Sequence, residues 1–545
     1  MDNDKYWYQK AFFYEIYVRA FADSNGDGHG DLRGLIGKLD YLKDLGVDCI
    51  WLLPIYLSPL KDDGYDISDY YTIAEVFGSI DDLRSLIEET HARQMRLIMD
   101  MVINHTSDQH PWFQAARKDR NSPYRDYYVW SDTDQKYKDA RIIFVDTEKS
   151  NWTWDEQACQ YFWHRFYSSQ PDLNFDNPRV QQEIIDIMDY WLSMGIDGFR
   201  VDAVPYLFER EAMSCENLPE THQYLKRLRR FIEQKYPGRI LLCEANQWPE
   251  DVRPYFGDGD EFHMGFHFPV MPRIYMAIGQ ENNTSLIQIM ERTPEIPKEC
   301  QWCTFLRNHD ELTLEMVTEE ERQWMWAHYA PDPAMRLNLG IRRRLAPLLD
   351  NDQQKIELAY SLLFTLPGSP ILYYGDEIGM GDNIELFDRN GLRTPMQWQN
   401  SLNAGFSSAE PGNLYAPIID KEPYDPSRVN VEDQQKNPNS LFNKIKHMVA
   451  VRKQSPALAS GKLEWIKGES QSVAAYWRST KQENLLICNN LSSDYQNLAI
   501  PLPREHRHEI VDILSGQVIP SPITGELGLE LYPHQYIWLK INKKP

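Results

Sequence analysis

The sequence lacks any hydrophobic run long enough to cross a lipid bilayer, which takes about 20 consecutive apolar residues in a helix. The best candidate, LAYSLLFTLPGSPILYY from Leu358, is interrupted by the sequence Pro-Gly-Ser-Pro. The first ten residues, MDNDKYWYQK, are polar and charged, so they lack the apolar segment of a secretory signal peptide. We therefore expect no membrane association and a cytoplasmic location.

Cysteine is scarce as well. The 545 residues include seven cysteines, an odd and scattered set that does not suit a disulfide framework. The single CxxC pair, Cys300 and Cys303, has no second pair with which to complete a zinc site. This pattern is typical of buried free thiols in a reducing compartment.

Positive charge is in deficit, since 57 Lys and Arg residues face 81 Asp and Glu residues and the formal net charge is −24. Such a chain repels phosphate backbones and anionic membranes, so we do not expect nucleic acid as a partner. Aromatic residues are abundant, at 12% of the chain. Their flat faces suit sugar rings and equally suit a large core. Composition leaves the oligomeric state open, and a homo-oligomer is one alternative.

Short apolar runs alternate with amphipathic helical patterns along most of the chain. From Asp31 to Gly46, for example, Leu32, Leu35 and Leu39 fall on one helical face together with Ile36 and Leu42, and Gly46 is a helix stop. Eight strands alternating with helices predict an α/β fold, a parallel sheet closed as a (β/α)8 TIM barrel. The strand-like runs are FFYEIYVRAF (from Phe12), DCIWLLP (from Asp48), RLIMDMV (from Arg96), IDGFRVDA (from Ile196), RILLCEA (from Arg239), EFHMGFH (from Glu261), CTFLRNHD (from Cys303) and SPILYYGDE (from Ser369).

Two gaps between these strands are too long for ordinary connections and predict lids or binding loops. We expect an inserted domain over 105–175 and a lid-like insertion over about 311–353, with the barrel formed by 1–104 and 176–455. From Leu463 the pattern changes to short alternating runs such as SVAAYWRS and NLLICNNL, separated by turn residues. This pattern predicts a C-terminal antiparallel β-sandwich domain over 456–545.

Polar side chains gather at the predicted carboxyl ends of the strands, where barrel enzymes place their catalytic groups. Each of them alone has an ordinary explanation as a helix cap, a turn former or a packed histidine. Together, with no lysine nucleophile or phosphate loop, they match glycoside chemistry, which needs one carboxylate as nucleophile and one carboxylic acid to protonate the leaving oxygen. The residues at the strand ends are Asn104 and His105, Arg200 and Asp202, Glu244, and Asn308, His309 and Asp310.

Four segments in these regions, DMVINH, GFRVDA, EANQ and LRNHDE, resemble in the right order the four motifs of the α-amylase superfamily of retaining glycoside hydrolases and transglucosidases. The resemblance implies that Asp202 is the nucleophile and Glu244 the general acid and base. It implies that Asp310 stabilises the oxocarbenium-like state. Arg200 would hold Asp202 ionised, because a nearby cation lowers a carboxylate pKa.

The same resemblance implies a pocket that takes one glucosyl unit. DDGYDISDY is similar to the loop that closes the pocket of exo-acting members, and it implies that Asp62 binds sugar hydroxyls and Tyr65 stacks on the ring. Asp62 would pair with Arg393 of LRTPMQW across the pocket floor. His105 and His309 would bind further hydroxyls of the glucosyl ring.

Longer stretches, among them VDAVPYLFERE, CENLPETH and RLNLGIRRRLAPLLDND, are similar to those superfamily members that interconvert the disaccharides maltose and trehalose. This resemblance implies an isomerase that transfers a glucosyl group within one disaccharide, with retention of configuration and minor hydrolysis to glucose. A retaining exo-acting α-glucosidase for α-1,4 or α-1,6 bonds shares the catalytic residues and stays the alternative. A non-catalytic ectodomain that accompanies a transporter would need a membrane anchor and usually lacks the carboxylates.

The resemblance further implies a structural calcium site and no organic cofactor. Its ligands would all be hard oxygen donors, which suit Ca²⁺. The site would tie the inserted domain to the barrel just behind His105 and Asp202. The implied ligands are Asn104, Asp172 and Glu209, with the backbone carbonyls of Tyr206 and Leu207.

The stretch DSNGDGHGD, from Asp23 to Asp31, is similar to an EF-hand loop, but its twelfth position is Gly34 where a bidentate Glu is required. It also resembles the metal loop of oligo-1,6-glucosidase-like relatives. We therefore expect a second structural Ca²⁺ or Mg²⁺ here, and an empty polar turn is the alternative. The implied ligands are Asp23, Asn25, Asp27, the His29 carbonyl and Asp31.

Overall fold

The computed structural model describes residues 5–468, 470–502, 508–520, 522 and 525–543. The outer bounds of the predicted domains, residues 1 and 545, and the start of the segment MDNDKYWYQK lie outside the described residues. Within these ranges, no helix is long and apolar enough to cross a membrane.

Eight parallel strands close a barrel in the order of the sequence, so the predicted TIM barrel is confirmed. Nearly all strand residues are buried, because helices cover the outside of a parallel barrel and side chains fill its inside. The strands are β1 (Phe13–Ile16), β2 (Cys49–Leu52), β3 (Arg96–Val102), β4 (Gly198–Asp202), β5 (Ile240–Cys243), β6 (Met264–Phe266), β7 (Gln301–Phe305) and β8 (Ser369–Tyr373).

Helices connect the barrel strands and form the outer layer. The single helix expected between Asp31 and Gly46 is instead two helices, because the chain leaves helical geometry at Lys38, directly after Gly37. Gly46 ends the second of them in the left-handed conformation, as expected. The α-helices of the described residues are Val18–Phe21, Leu32–Ile36, Leu39–Leu45, Ile80–Ala92, Pro111–Lys118, Pro178–Ser193, Pro219–Lys235, Pro249–Val252, Val270–Gly279, Thr284–Arg292, Glu319–Tyr329, Leu345–Leu348, Gln353–Thr365, Val431–Lys436, Leu441–Lys453 and Pro456–Ser460.

Both long connections leave the barrel at the carboxyl ends of its strands. The excursion after β3, residues 105–175, has its own three-stranded antiparallel sheet, formed by Trp130–Ser131, Gln160–Trp163 and Trp152–Asp155. The excursion after β7, residues 311–353, holds a second small sheet, formed by Leu312–Thr313, Gly340–Ile341 and Arg336–Leu337. A hairpin of Tyr56–Leu57 and Asp69–Ile73 follows β2. Three excursions therefore surround one end of the barrel.

The C-terminal part is antiparallel, as predicted. Six strands form one sheet in the order β9-β10-β11-β16-β13-β14, and β12 pairs with β15 alone. Apolar side chains from both groups share a small core that includes Val473, Leu486, Ile500 and Leu527. The strands are β9 (Lys462–Trp465), β10 (Val473–Ser479), β11 (Asn484–Asn490), β12 (Gln496–Pro501), β13 (His508–Asp512), β14 (Val518–Ile519), β15 (Glu526–Leu531) and β16 (Tyr536–Lys543).

Candidate active site

One pocket at the carboxyl ends of the strands collects the three predicted catalytic carboxylates, Asp202, Glu244 and Asp310. Asp202 is the last residue of β4, Glu244 directly follows β5, and Asp310 follows β7. Asp62, Tyr65 and His105 line the same pocket, as predicted for substrate-binding residues. Arg200, His309 and Arg393 lie behind these residues, where each contacts a carboxylate of the pocket.

Arg200 is the centre of a buried cluster of carboxylates. Its guanidinium lies 2.5 Å from Asp202 and 2.8 Å from Asp100, and 3.5 Å from Glu244. Glu244 also accepts a hydrogen bond of 2.8 Å from the backbone amide of Ala203. One cation therefore serves three carboxylates, and it lies closer to Asp202 than to Glu244.

The charge state of Asp202 differs from the one expected from Arg200 alone. Burial raises the pKa of the Asp202 carboxyl well above its usual range, Arg200 opposes this rise, and the charges of Glu244 and Asp100 add to it. The predicted contact with Arg200 is present, but in the free protein it does not outweigh burial. Arg200 lies 1 Å closer to Asp202 than to Glu244, so its charge acts more strongly on the Asp202 carboxyl.

Asp310 is held by three cationic groups. Arg389 and Arg393 contact its Oδ1 atom at 2.9 and 3.1 Å, and His309 Nε2 lies 3.2 Å from Oδ2. Although burial raises the pKa of Asp310, the charges of His309, Arg389 and Arg393 hold it well below its usual range. Asp310 is thus fixed in place as an anion.

The predicted ion pair between Asp62 and Arg393 is wrong. Arg393 instead pairs with the neighbouring Asp63, at 2.5 Å, while Asp62 lies 3.4 Å from Arg389 and accepts a 2.9 Å hydrogen bond from Gln170. The cause is local, because Asp63 adopts a left-handed φ of 46° and the chain turns sharply between the two carboxylates. Asp62 therefore faces the pocket and Asp63 faces the barrel wall.

The two remaining predicted sugar-binding side chains are rigid and buried. The Tyr65 hydroxyl donates a 2.9 Å hydrogen bond to Asp100, and its ring stacks on His309 with an interplanar angle of 8°. His105 Nε2 lies 3.1 Å from the Tyr65 carbonyl. Burial lowers the pKa of His105 to about 4, so this ring is neutral at pH 7 and donates from Nε2.

Both long excursions reach over the pocket. Ile143, Phe144 and Phe166 line it from the excursion after β3, and Glu311, Thr313 and Glu315 line it from the excursion after β7. The two excursions also contact each other. Arg141 pairs with Glu315 at 2.8 Å, and the backbone amide of Asn338 donates a 2.6 Å hydrogen bond to the Asp146 carboxylate.

Comparison with known proteins agrees with this arrangement. The sequence model of the family "Alpha amylase, catalytic domain" matches residues 15–330 and 342–461, and that of "Maltogenic Amylase, C-terminal domain" matches residues 463–538. The chain is 54% identical to trehalose synthase/amylase TreS of Mycobacterium tuberculosis over 99% of its own length and 91% of the relative's. The chain belongs to the α-amylase family, and within it to the trehalose synthases.

Two further proteins extend the comparison. Trehalose synthase of Pimelobacter sp. is 53% identical to the chain, over 98% of this chain and 96% of the relative. Among solved structures, isomaltulose synthase (PalI) of Klebsiella sp. LX3 superposes with a TM-score of 0.80 at 28% identity, over 98% of this chain and 99% of the other. The overall architecture is thus shared over nearly the full length of both chains.

The calcium site implied for this trehalose synthase family member fits the structure. Three predicted ligand atoms, Asn104 Oδ1, Asp172 Oδ2 and Glu209 Oε1, are buried and have no hydrogen-bond partner among the described residues. Burial raises the pKa of Asp172 to about 8, and burial together with the charge of Asp172 raises that of Glu209 well above its usual range. Unpaired buried oxygens of this kind are the donor type that suits a divalent cation such as Ca²⁺. The predicted carbonyl donors, Tyr206 and Leu207, lie between β4 and Glu209.

In the loop from Asp23 to Asp31, the predicted ligand side chains already accept hydrogen bonds from protein groups, unlike the unpaired oxygens of the calcium site. Asp31 caps the helix Leu32–Ile36 through the Gly34 amide and accepts further hydrogen bonds from Ser24. Asp23 accepts hydrogen bonds from three backbone amides of its own loop and from Ser407. The Asn25 side-chain amide donates to Asp27, which also accepts from the His29 backbone amide. Across the described residues, no group of three or more Asp, Glu, His or Cys side chains is arranged so that it could hold a metal ion. A metal in this loop stays a prediction.

Sequence reasoning missed four residues of this trehalose synthase site: Glu15, Asp63, Asp100 and Arg389. Glu15 on β1 and Asp100 on β3 are fully buried. Acidic residues are unusual inside strands that are otherwise apolar, so their positions in the predicted strands could have marked both as candidate site residues. Arg389 lies in the same segment as Arg393, and nothing in the sequence separates the roles of the two arginines.

Proposed function

We propose that the protein interconverts maltose and trehalose by transferring a glucosyl group within one disaccharide, with retention of configuration. The observation that carries the proposal is a pocket with one arginine-bound carboxylate beside a second carboxylate, roofed by two excursions that contact each other. A double displacement needs the carboxylate pair. Transfer without loss to water needs a cover over the pocket, which the two excursions (residues 105–175 and 311–353) form and which we call the roof. The relatives of high identity are named trehalose synthases, which supports this reaction over others of the family.

In the first displacement, Asp202 attacks the anomeric carbon while Glu244 gives a proton to the glycosidic oxygen. The bond to the leaving glucose breaks and a glucosyl ester of Asp202 forms. Arg200 lies closer to Asp202 than to Glu244, so its charge stabilises the carboxylate anion of the nucleophile more strongly and opposes the effect of burial. In the second displacement, Glu244 takes the proton of the anomeric hydroxyl of the retained glucose, and that oxygen attacks the same carbon. The ester bond to Asp202 breaks, which releases trehalose and restores the Asp202 carboxylate.

The remaining groups hold the donor sugar. Asp310 stays ionised beside three cations and faces the positive charge that develops on the ring. Asp62, Tyr65 and neutral His105 line the donor end of the pocket. Asp62 supplies acceptor oxygens and Tyr65 a ring face for the sugar, while the Nε2–H of His105 is bonded to the Tyr65 carbonyl and holds that residue in place. Two displacements at one carbon restore the α configuration.

The roof is the feature that favours isomerisation over the alternative, a retaining α-glucosidase. Freed glucose must turn and present its anomeric hydroxyl before water reaches the glucosyl ester. Phe144 and Phe166 give the roof an apolar inner face, and the Arg141–Glu315 pair joins its two halves. Some leakage gives minor hydrolysis to glucose.

We also propose that Asn104, Asp172 and Glu209 hold a structural Ca²⁺ ion. The ion would neutralise two buried carboxylates and tie the excursion after β3 to the barrel wall next to His105. For the loop from Asp23 to Asp31 we propose a second Ca²⁺ or Mg²⁺ ion with a purely structural part. The reaction needs no organic cofactor, since carboxylates supply every proton and the nucleophile.

Finally, we propose a cytoplasmic location. All seven cysteines are free thiols in the described part of the chain, and six of them are buried. Free cysteines persist in a reducing compartment.

Product analysis tests the proposed function. Purified protein is incubated with maltose, and trehalose and glucose are separated and quantified over time. We expect trehalose as the main product, with a minor share of glucose, and the same mixture when the reaction begins from trehalose. Glucose as the sole product would instead support the α-glucosidase. Asp202→Asn, which removes the nucleophile while keeping its size, is expected to abolish both products.

A further inference from the structure

Glu15 is a charged residue in the middle of an apolar strand. It lies on β1 with 0% of its surface exposed, and it is flanked by Tyr14 and Ile16, which are also fully buried. An isolated buried carboxylate is costly unless a partner compensates it. The partner is His309, whose Nδ1 lies 2.6 Å from Glu15 Oε1 and whose backbone amide donates to the same oxygen at 3.2 Å.

The ring of His309 has a second carboxylate at its other end. Nε2 lies 3.2 Å from Asp310 Oδ2, so the imidazole sits between Glu15 and Asp310. A neutral imidazole has a single N–H and can donate to only one of them. The imidazolium, with an N–H at each nitrogen, satisfies both carboxylates at once.

We propose that Glu15 is a positioning residue that keeps His309 doubly protonated and, through it, fixes the orientation of Asp310 toward the substrate. Glu15 does not reach the pocket and touches no reacting atom. This inference rests on the proposed function, because it assigns Asp310 the task of stabilising the developing positive charge.

The surroundings of His309 fit this assignment. Tyr65 stacks on one face of the ring at 5.3 Å, Trp51 of β2 meets it edge-on at 5.9 Å, and Arg393 donates to the His309 carbonyl at 3.0 Å. Glu15 and Asp310 are thus the two carboxyl groups that face the ring nitrogens. Burial raises the pKa of Glu15, and its contacts with His309 oppose that rise.

The titration of the ring agrees with its two neighbours. Burial lowers the pKa of His309, but Asp310 and Glu15 raise it to about 9. The cation therefore persists at neutral pH and is lost only under alkaline conditions.

Arginines hold the other oxygen of Asp310. Arg389 and Arg393 both contact Oδ1, which leaves Oδ2 to His309. If His309 lost a proton from Nε2, its lone pair would face Oδ2 and repel it, and Asp310 would turn. The arginines alone do not prevent that rotation, since both act on the same oxygen.

The test is the alkaline side of the pH profile of kcat/KM, measured as total maltose consumed. Glu15→Gln keeps the size and an acceptor oxygen but removes the charge that stabilises the imidazolium. Because the pKa of His309 falls when this charge is lost, activity is expected to decline at lower pH. The alkaline limb should move down by about one unit from wild type, so that kcat/KM near pH 9 drops about fivefold, mostly through kcat.

Two further variants separate this role from simple packing. Glu377→Gln changes another fully buried glutamate, bonded to Tyr14 and Tyr41 behind the barrel wall, and is expected to leave the limb in place. Glu15→Asp keeps the charge, so its limb should stay near that of wild type even if the rate falls. If Glu15→Gln does not fold, nitrogen NMR of His309 in the wild type decides the matter: both ring nitrogens should be protonated at about pH 7, and a ring with one protonated nitrogen would overturn the inference.

The inference would be overturned if the alkaline limb of the kcat/KM profile of Glu15→Gln coincided with that of wild type. It would also be overturned if the limb moved by the same amount in Glu15→Asp and in Glu15→Gln. Its failure is distinct from that of the proposed function. Maltose consumption reports the first displacement whatever the product, while the ratio of trehalose to glucose reports the proposed function alone.

Discussion

Arg141 in the excursion after β3 pairs with Glu315 in the excursion after β7, with 2.8 Å between Nη1 and Oε2. Arg141 also bonds to Glu216 and to the Tyr206 hydroxyl. Glu315 and Tyr206 both line the pocket. One arginine side chain thus joins the two halves of the roof to the pocket wall.

Loss of this pair should change the product mixture. Arg141→Ala opens the roof to water, so we expect the ratio of glucose to trehalose formed from maltose to rise about three- to fivefold, the equivalent of one partly exposed ion pair. Lys436→Ala removes an exposed helix-surface pair with Glu432 and is the control. A product ratio in Arg141→Ala equal to that of the control would show that the contact does not exclude water.

The pH dependence of substrate binding should report on Asp62. Burial raises the pKa of Asp62 to about 6, against the opposing charges of Arg389 and Arg393. Below that pH the carboxyl gains a proton and loses one charged acceptor for sugar hydroxyls, so KM for maltose should rise as pH falls through 6, by up to about tenfold. In Asp62→Asn, KM should be high and flat across this range.

Asp108→Asn, which removes an exposed carboxylate paired with Lys61 just outside the pocket, is the control for Asp62. It should keep the wild-type dependence of KM on pH. A dependence in Asp62→Asn that matches wild type would assign the titration to another group.

A double-mutant cycle on kcat/KM checks the corrected pairing of Arg393. Asp63→Asn and Arg393→Gln should be coupled by at least about 1 kcal/mol, since the two side chains form a buried ion pair. Asp62→Asn and Arg393→Gln should be coupled by less than about 0.5 kcal/mol. The reverse order of the two coupling energies would restore the pairing of Asp62 with Arg393.

Calcium should stabilise the fold through Glu209. Chelation is expected to lower the thermal midpoint of the wild type, and calcium at 100 times its Kd should add about 2.7 kcal/mol to stability. Glu209→Gln should remove most of this response, whereas Glu211→Gln, on the exposed side of the same segment, should keep it. A residual response that Asp27→Asn removes would belong to the loop from Asp23 to Asp31. A wild-type midpoint insensitive to chelation would contradict both sites.

The sequence was informative where one physical rule acts on a continuous stretch. Each barrel strand is a short apolar run, and the chemistry sits at its carboxyl end, so the positions of Asp202, Glu244 and Asp310 could be predicted from the sequence alone. The excursions were recognisable because compact domains rarely carry such long connections.

Pairings between distant residues were not predictable in the same way. Asp62 and Asp63 are adjacent carboxylates, and only the left-handed turn at Asp63 decides which of them meets Arg393. In the same way, the sequence does not show which of the two arginines, Arg389 or Arg393, contacts Asp62. The pKa of Asp202 depends on its burial and on the charges of Arg200, Glu244 and Asp100. The motif sequences contain these residues, but they do not show how deeply Asp202 is buried or how close the three groups lie to it.

Isotope tracing during conversion tests the central claim most directly. The protein is incubated with unlabelled maltose and a large excess of labelled free glucose, and the label in trehalose is measured by mass spectrometry. If the roof keeps the freed glucose in place until the second displacement, trehalose should be almost free of label while its yield stays high. Trehalose labelled in proportion to the free glucose would contradict the account, since the acceptor would then come from solution.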